Sequence, residues 1–217
     1  MTSNSFLMYQ LMAILSGFVK PISGGFQTYG SLSWPLGGEG GLDGKLKIEN
    51  ALEFLSSVYD DCLDNSRISV DEFFEVLKSR SIDSSMHLKE LSKDKKDFFY
   101  LAISILFSFD IYLIPKSRYL LDKDARPLRA LLRKQLCGGQ SIISATINNR
   151  FRRDFCNRGL VLGPSGEILF HGDLEEAIAY ERDNVKVTPT IESNENEFDT
   201  AYRLSNSDST SDQSDDL

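Results

Sequence analysis

Few residues in this sequence have both the type and the spacing that chemistry demands. A phosphate-binding loop needs bare glycine backbone around the anion, a lysine for its charge and a hydroxyl for Mg²⁺. The stretch "EGGLDGKL" (39–46) offers Gly44 and Lys45 in order, but Glu39 stands where the first glycine belongs and Leu46 replaces the hydroxyl. It is not such a loop. Cys62, Cys137 and Cys156 share no close spacing and His87 and His171 are isolated, so no metal-ligand pattern arises and a reducing compartment is the simple reading. "CGGQ" (137–140) reads as a turn between a helix and a strand.

A second unusual stretch is "SWPLGGEGGL" (33–42), which holds the only tryptophan, a proline beside it, and Gly37, Gly38, Gly40 and Gly41 around a lone acid. Glycine at this density marks backbone that takes positive φ or lies close against another surface. That surface is a phosphate, a partner protein, or nothing.

The elements around these stretches follow from composition and periodicity. The 217 residues, 41% apolar, suit one domain of ordinary size with a tail. Residues 192–217 hold eight acids against Arg203, about −7 of the chain's −8. The body is thus near neutral, with no basic surplus for nucleic acid. From 188 to 217, Ser, Asn, Asp, Glu and Thr dominate, too polar to offset the entropy of ordering, so a disordered acidic tail is expected there.

Apolar spacing predicts a helix over 6–16 closed by Gly17, strands around "TYGSL" within 24–34, and a helical block from Leu46 to about Leu91. That block contains "SVDEFFEVLKSR", with Ser69 as cap, and "SSMHLKEL". A helix over 94–108 runs into a strand over 109–114, followed by a helix near 124–136, the strand "SIISAT", a helix over 148–157 and the strand "GLVLG". "GPSGE" turns into "EILFHG", and Asp173 caps a last helix over 173–182. Neither "FLMYQLMAILSGFV" nor "FFYLAISILFSFDIYLI" reads as a membrane span: the first is too short and the second, broken by Asp110, is a buried helix leading into a buried strand. No internal repeat is visible. Strands alternating with helices, interrupted by a helical block, give an α/β sheet with a helical insertion.

In order, these pieces resemble the nucleotide-binding subunit of ABC transporters, in the branch that exports capsular polysaccharide and O-antigen. "LMAILSGFVKPISGGFQTYGSLSWPLGGEGGLDGKLKIENALEFLSSVYD" resembles that branch's first helix, first strands, Ser-Trp-Pro loop and following helix. "LAISILFSFDIYLI" is similar to the helix and strand that lead to Walker B, and "RFRRDFCNRGLVLGPSGEILFHGDLEEAIAYE" to the end of the domain. The resemblance spans roughly 1–182. It implies an incomplete P-loop NTPase-like sheet, in a domain of residues 1–187 with a helical subdomain at about 46–98. It places the Ser-Trp-Pro loop between nucleotide and permease-docking helices, which makes Ser33, Trp34, Pro35, Leu36, Gly37, Gly40 and Gly41 candidate partner-docking residues. Since it begins at the phosphate-loop position, the N-terminal strands are expected to be missing and sheet edges left to be covered.

The family's ATP and Mg²⁺ chemistry does not carry over residue by residue. Its phosphate loop falls on "TSNSFLMYQ" (2–10), where Thr2, Ser5 and Leu7 replace glycines, Met8 the lysine and Tyr9 the hydroxyl. Losing three or four charge-assisted hydrogen bonds should remove at least about 5 kcal/mol of phosphate binding, about a thousandfold or more. Walker B should end in Asp-Glu, but Pro115 and Lys116 follow the strand; a general base alone is commonly worth about 10²–10⁴ in rate. The signature positions hold Ser92, Lys93 and Asp94, and the switch-histidine position holds Ile147. No catalytic, cofactor-binding or metal residue is therefore expected, nor any bound cofactor.

The reading that results is a pseudo-ATPase relative of a polysaccharide-exporter subunit. Its expected partner is a permease or a competent, paralogous ATPase, with no nucleic acid and no membrane span of its own, and with a dimer as an open alternative. The expected place is the cytoplasm, at the inner face of the cell membrane. Three alternatives stay open: an adaptor working through the acidic tail, a nonfunctional remnant, and a split ATPase completed by a second chain.

Overall fold

The structure is a computed structural model, and it describes residues 5–38, 41–115 and 118–185. The tail expected over 188–217 lies outside the described residues. In chain order the elements begin with α1 (Ser5–Leu15), α2 (Ile48–Val58), α3 (Asp60–Asp64), α4 (Val70–Lys78) and α5 (Lys93–Leu106). Then come β1 (Ile111–Ile114), α6 (Arg118–Leu121), α7 (Arg126–Leu136), β2 (Ser141–Ser144), α8 (Asn149–Phe155), β3 (Arg158–Leu162), β4 (Ile168–Asp173) and α9 (Leu174–Asn184). They divide into two compact units, one built from residues up to Phe26 and from Cys156 on, the other from Gln27–Phe155.

The larger unit is built around α5. From Phe98 to Leu106 every residue of this helix is buried, which is what a helix apolar on all sides requires. β1 follows, paired in parallel with β2 from Ile111↔Ser141 to Ile114↔Ser144. A parallel pair needs a long crossover, here supplied by α6 and α7. On its other side β1 meets Leu32 through a single parallel bridge. The strands expected within 24–34 thus reduce to one bridge. Gly24 and Gly30 take positive φ there, a conformation that breaks a strand.

The helical block forms as expected over α2 and α4. Ile48, Ala51, Leu52 and Leu55 bury one face of α2, at helical spacing. Ser69 caps α4, accepting the Glu72 N–H at 3.1 Å. The helix expected for "SSMHLKEL" is only a 3₁₀ turn, Leu88–Glu90. The reason is a pairing that local pattern cannot show. Two Asp turns forty residues apart, at Asp43 and Asp83, each bind an N–H two residues on, Lys45 at 2.8 Å and Ser85 at 3.0 Å. Each turn then caps the element that follows the other. Ile48 and Glu49 donate to the carbonyls of Met86 and Ser84, while Leu88 and Lys89 donate to those of Leu46 and Gly44, all at 2.8–3.0 Å. His87 is held extended by this exchange and cannot coil. The exchange also supplies partners for the first N–H groups of α2, whose own cap residue, Lys47, offers no side-chain bond.

The smaller unit is a β3–β4 hairpin with α9 packed on it. The strands pair antiparallel from Arg158↔Asp173, with an irregularity after Val161. The predicted turn is present: Gly163 donates to the Glu167 carbonyl at 2.8 Å, and Gly166 sits at φ +88. Asp173 caps α9, accepting the Glu175 N–H at 2.8 Å. α1 ends where Gly17 turns to φ +80. No helix among the described residues is long and apolar enough to cross a membrane.

Candidate partner-docking loop

Residues 31–38 run beside β1 and are tied to it at nearly every step. Ile111 donates to the Ser31 carbonyl at 3.1 Å and Ser33 returns a bond to the Ile111 carbonyl at 2.9 Å. In a regular parallel ladder the Ser33 carbonyl would accept next and the residue at 35 would donate back to Leu113, but Pro35 has no N–H to give. The Ser33 hydroxyl takes over, accepting the buried Leu113 N–H at 2.9 Å and donating to the Trp34 carbonyl at 2.7 Å. Leu36 closes the segment by donating to the Leu113 carbonyl at 2.9 Å. At its start, the Ser31 N–H and hydroxyl both donate to one Asp110 carboxylate oxygen, at 2.7 and 2.9 Å.

The tryptophan is an internal anchor. Its ring lies 5.2 Å from Tyr59, 6.0 Å from Phe107 and 5.3 Å from Phe109, in tilted or edge-on pairs. Its indole N–H donates to the Ser104 hydroxyl at 2.8 Å, which passes a hydrogen bond to the Tyr100 carbonyl at 2.6 Å. After Trp34 the chain turns back, with the Gly38 N–H on the Pro35 carbonyl at 2.9 Å and Gly37 at φ +82. That is the position of a type II turn that needs glycine.

Of the seven candidate docking residues, Ser33, Pro35 and Leu36 are buried and Trp34 is half-buried. Gly37 is half-exposed, Gly41 is exposed at φ +74, and Gly40 lies outside the described residues. Among the described residues, the exposed part of this stretch is thus the glycines, with the apolar residues turned inward. Ser31, Ser104 and Asp110 had no signal in the sequence, because their partners lie 70 to 79 residues away.

The positions where the family's chemistry would sit are placed as follows. Residues 5–9 are already helical, inside α1, while Thr2 lies outside the described residues. β1 runs into Pro115, and Lys116 is outside the described residues. Ser92 occupies the N-cap position of α5 without a side-chain capping bond, and Lys93 and Asp94 begin its first turn. Ile147 is exposed before α8. "CGGQ" is the expected turn, with Cys137 capping α7 and Gly139 at φ +95. His87 pairs with Glu90, Nδ1 to Oε1 at 3.3 Å, and His171 faces Leu160 across the hairpin. Burial pushes the Cys62 thiol up; a hydrogen bond with Ser31 opposes this and the Asp110, Asp61 and Asp60 carboxylates add to it. Such a thiol is a poor nucleophile. No group of three metal-ligating side chains occurs among the described residues. A depression of about 300 Å³ lies away from the loop, along α4, lined by Asp71, Phe74, Glu75 and Asp83.

Known proteins share this arrangement. The chain matches the RNase-L inhibitor with a TM-score of 0.58 at 16% identity, over 81% of this chain and 34% of that one. A metal-chelate type ABC transporter superposes with a TM-score of 0.53 at 13% identity, over 78% and 71%. The fold is that of an ABC ATPase, α/β with a partial sheet. No family model matches the sequence. Curated relatives carry the assignment further. The polysialic acid transport ATP-binding protein KpsT of Escherichia coli is 27% identical over 80% of this chain and 78% of its own length. The capsule polysaccharide export ATP-binding protein CtrD of Neisseria meningitidis is 24% identical over 78% and 76%. This chain is similar to the ATP-binding subunits of capsule polysaccharide exporters.

Proposed function

We propose that this chain is a non-hydrolysing relative of those subunits, a pseudo-ATPase that docks on an exporter permease or on a competent ATPase. The observation that carries this reading is the end of β1. The strand similar to the one leading to Walker B is fully formed and buried, yet it runs into Pro115 and Lys116 where Mg²⁺ and the attacking water need carboxylates. The phosphate-loop positions agree, since Leu7 and Met8 lie within a helix rather than in a glycine loop. The docking face is the helical part around α2 and α4 together with the glycine turn that follows Trp34. The place of action is the cytoplasm, at the inner face of the membrane.

The test is calorimetric titration of the folded protein with Mg-ATP, paired with co-purification against an exporter permease and a competent exporter ATPase. No heat of binding up to about millimolar ATP, with a stable complex on an exporter component, is the expected result. A dissociation constant near about 1 μM would overturn the reading of residues 2–10.

A further inference from the structure

β2 is the outer strand of its sheet. Its inner side pairs with β1, and no strand among the described residues lies on its other side. Ser141 donates to the Asp110 carbonyl at 2.8 Å and Ala145 to the Ile114 carbonyl at 3.2 Å. Backbone groups alternate along a strand, so those of Ile142 and Ser144 point away from β1. Neither finds a backbone partner among the described residues. Proteins usually blunt such an edge with charge, proline or a bulge. β2 has none of these: its pairing with β1 is regular, and no residue from Gln135 to Asn149 is charged or a proline. Ile142 packs on the core, whereas Ile143 stands on the other face, 36% exposed.

We propose that this edge pairs antiparallel with the same edge of a second copy of the chain, across a two-fold axis. Symmetry and hydrogen-bond direction together fix the register. A two-fold axis sets some residue opposite itself, and only Ile143 at that point keeps both outward-facing residues inside the paired strands. Ile142 then exchanges two hydrogen bonds with Ser144 of the second copy, and Ser144 exchanges two with its Ile142. The Ile143 side chains meet each other at the axis as a close, non-hydrogen-bonded pair, which covers their apolar surface. Charge does not oppose the approach, since the nearest charged residues in the sequence are Lys134 and Arg150. Both copies use the same patch, so the assembly closes at two. A strand pairing this short buries less than the roughly 1,200–2,000 Å² of a standard interface, so the dimer is weak and forms at about 100 μM chain and above. It needs no nucleotide, because backbone groups and Ile143 supply the whole contact.

The experiment is sedimentation equilibrium of the full chain without nucleotide, from about 10 μM to about 500 μM, with amide hydrogen exchange at both ends of that range. A monomer–dimer equilibrium is expected, with the Ile142 and Ser144 amides protected only at the high end. The Ile143 amide, which faces β1, should be protected at both. Ile143→Lys sets like charges opposite each other at the axis and should keep the chain monomeric throughout, circular dichroism confirming its fold. Ile143→Cys, made together with Cys137→Ser, should oxidise to a linked dimer, because the axis brings the two Cα atoms to about 4.5 Å. Ser141→Cys in the same background should not, since its opposite number is Ala145. A chain still monomeric at about 500 μM would overturn the proposal. So would a dimer that leaves the two outward amides exchanging freely or that survives Ile143→Lys, since either would use another face. Protection of those amides in the monomer would also overturn it, by showing the edge covered within one chain.

Discussion

The hydroxyl of Ser33 stands in for a main-chain carbonyl, accepting the N–H of Leu113 at 2.9 Å in the middle of the buried β1 strand. Leu113 is fully buried and Ser33 is 2% exposed, so no water is at hand to replace the bond. Ser33→Ala therefore leaves a buried donor unpaired, at a cost of about 1–3 kcal/mol. Ser33→Thr keeps the oxygen and should recover most of it. Urea unfolding of the three proteins checks this; equal midpoints for wild type and Ser33→Ala would show that another group satisfies Leu113.

Trp34 offers a way to separate anchoring from docking. Its ring packs on three aromatic side chains and its N–H is tied to Ser104. Trp34→Ala should cost about 3 kcal/mol, at the low end for an aromatic because the ring is only half-buried. Ser104→Ala should cost about 1 kcal/mol by leaving the indole N–H without its acceptor. As the sole tryptophan, Trp34 also reports directly, and its emission should shift in Ser104→Ala. Full stability in Trp34→Ala together with lost partner binding would move this residue from the core to the docking face.

The paired Asp turns predict coupling across forty residues. Asp43→Ala and Asp83→Ala each remove the side-chain bond that shapes one turn, and each should lower the urea midpoint. Because each turn caps the element after the other, the double variant should cost less than the two singles together. A double-mutant cycle in urea measures this, and strict additivity would show that the turns act independently.

Stability should fall at both ends of the pH scale. Burial is the main cause that raises both the Cys62 thiol and the Tyr112 phenol above their ordinary values. Their contribution is complete below the unfolded values, near 9.0 for a free thiol and 10.0 for a free phenol, and is lost as pH climbs towards the folded ones. On the acid side, Asp83 is held low by the Ser85 hydroxyl and N–H, and Glu90 by the His87 N–H. Their share is present above the ordinary carboxylate range and fades as pH falls through it. Thermal melts from pH 3 to about pH 10 should trace this dome. The same burial predicts thiol reactivity: exposed Cys137 should be alkylated at mild alkaline pH well before half-buried Cys62.

Much of this architecture is written locally. The spans of α2, α4, α5, α7 and α9 follow from apolar spacing, and Ser69 and Asp173 cap their helices as residue type alone predicts. The continuous apolar run at Phe98–Leu106 is legible as a buried helix because nothing on it can face water. The similarity to exporter subunits is likewise a property of the sequence, as is the Pro115-Lys116 pair after β1, since each position can be read without its neighbours in space.

Only the tertiary structure decided what the Ser-Trp-Pro stretch and the two Asp turns do. Trp34 and Gly37 look alike as docking candidates in one dimension, yet one enters an aromatic cluster and the other turns outward. "SSMHLKEL" has a helical pattern but surrenders most of its helix to hydrogen bonds with residues 44–49. The physical reason is the same in each case. A helix bonds to itself within four residues, whereas these segments satisfy their backbone groups and aromatic surfaces across 40 to 80 residues, through partners that only folding brings within reach.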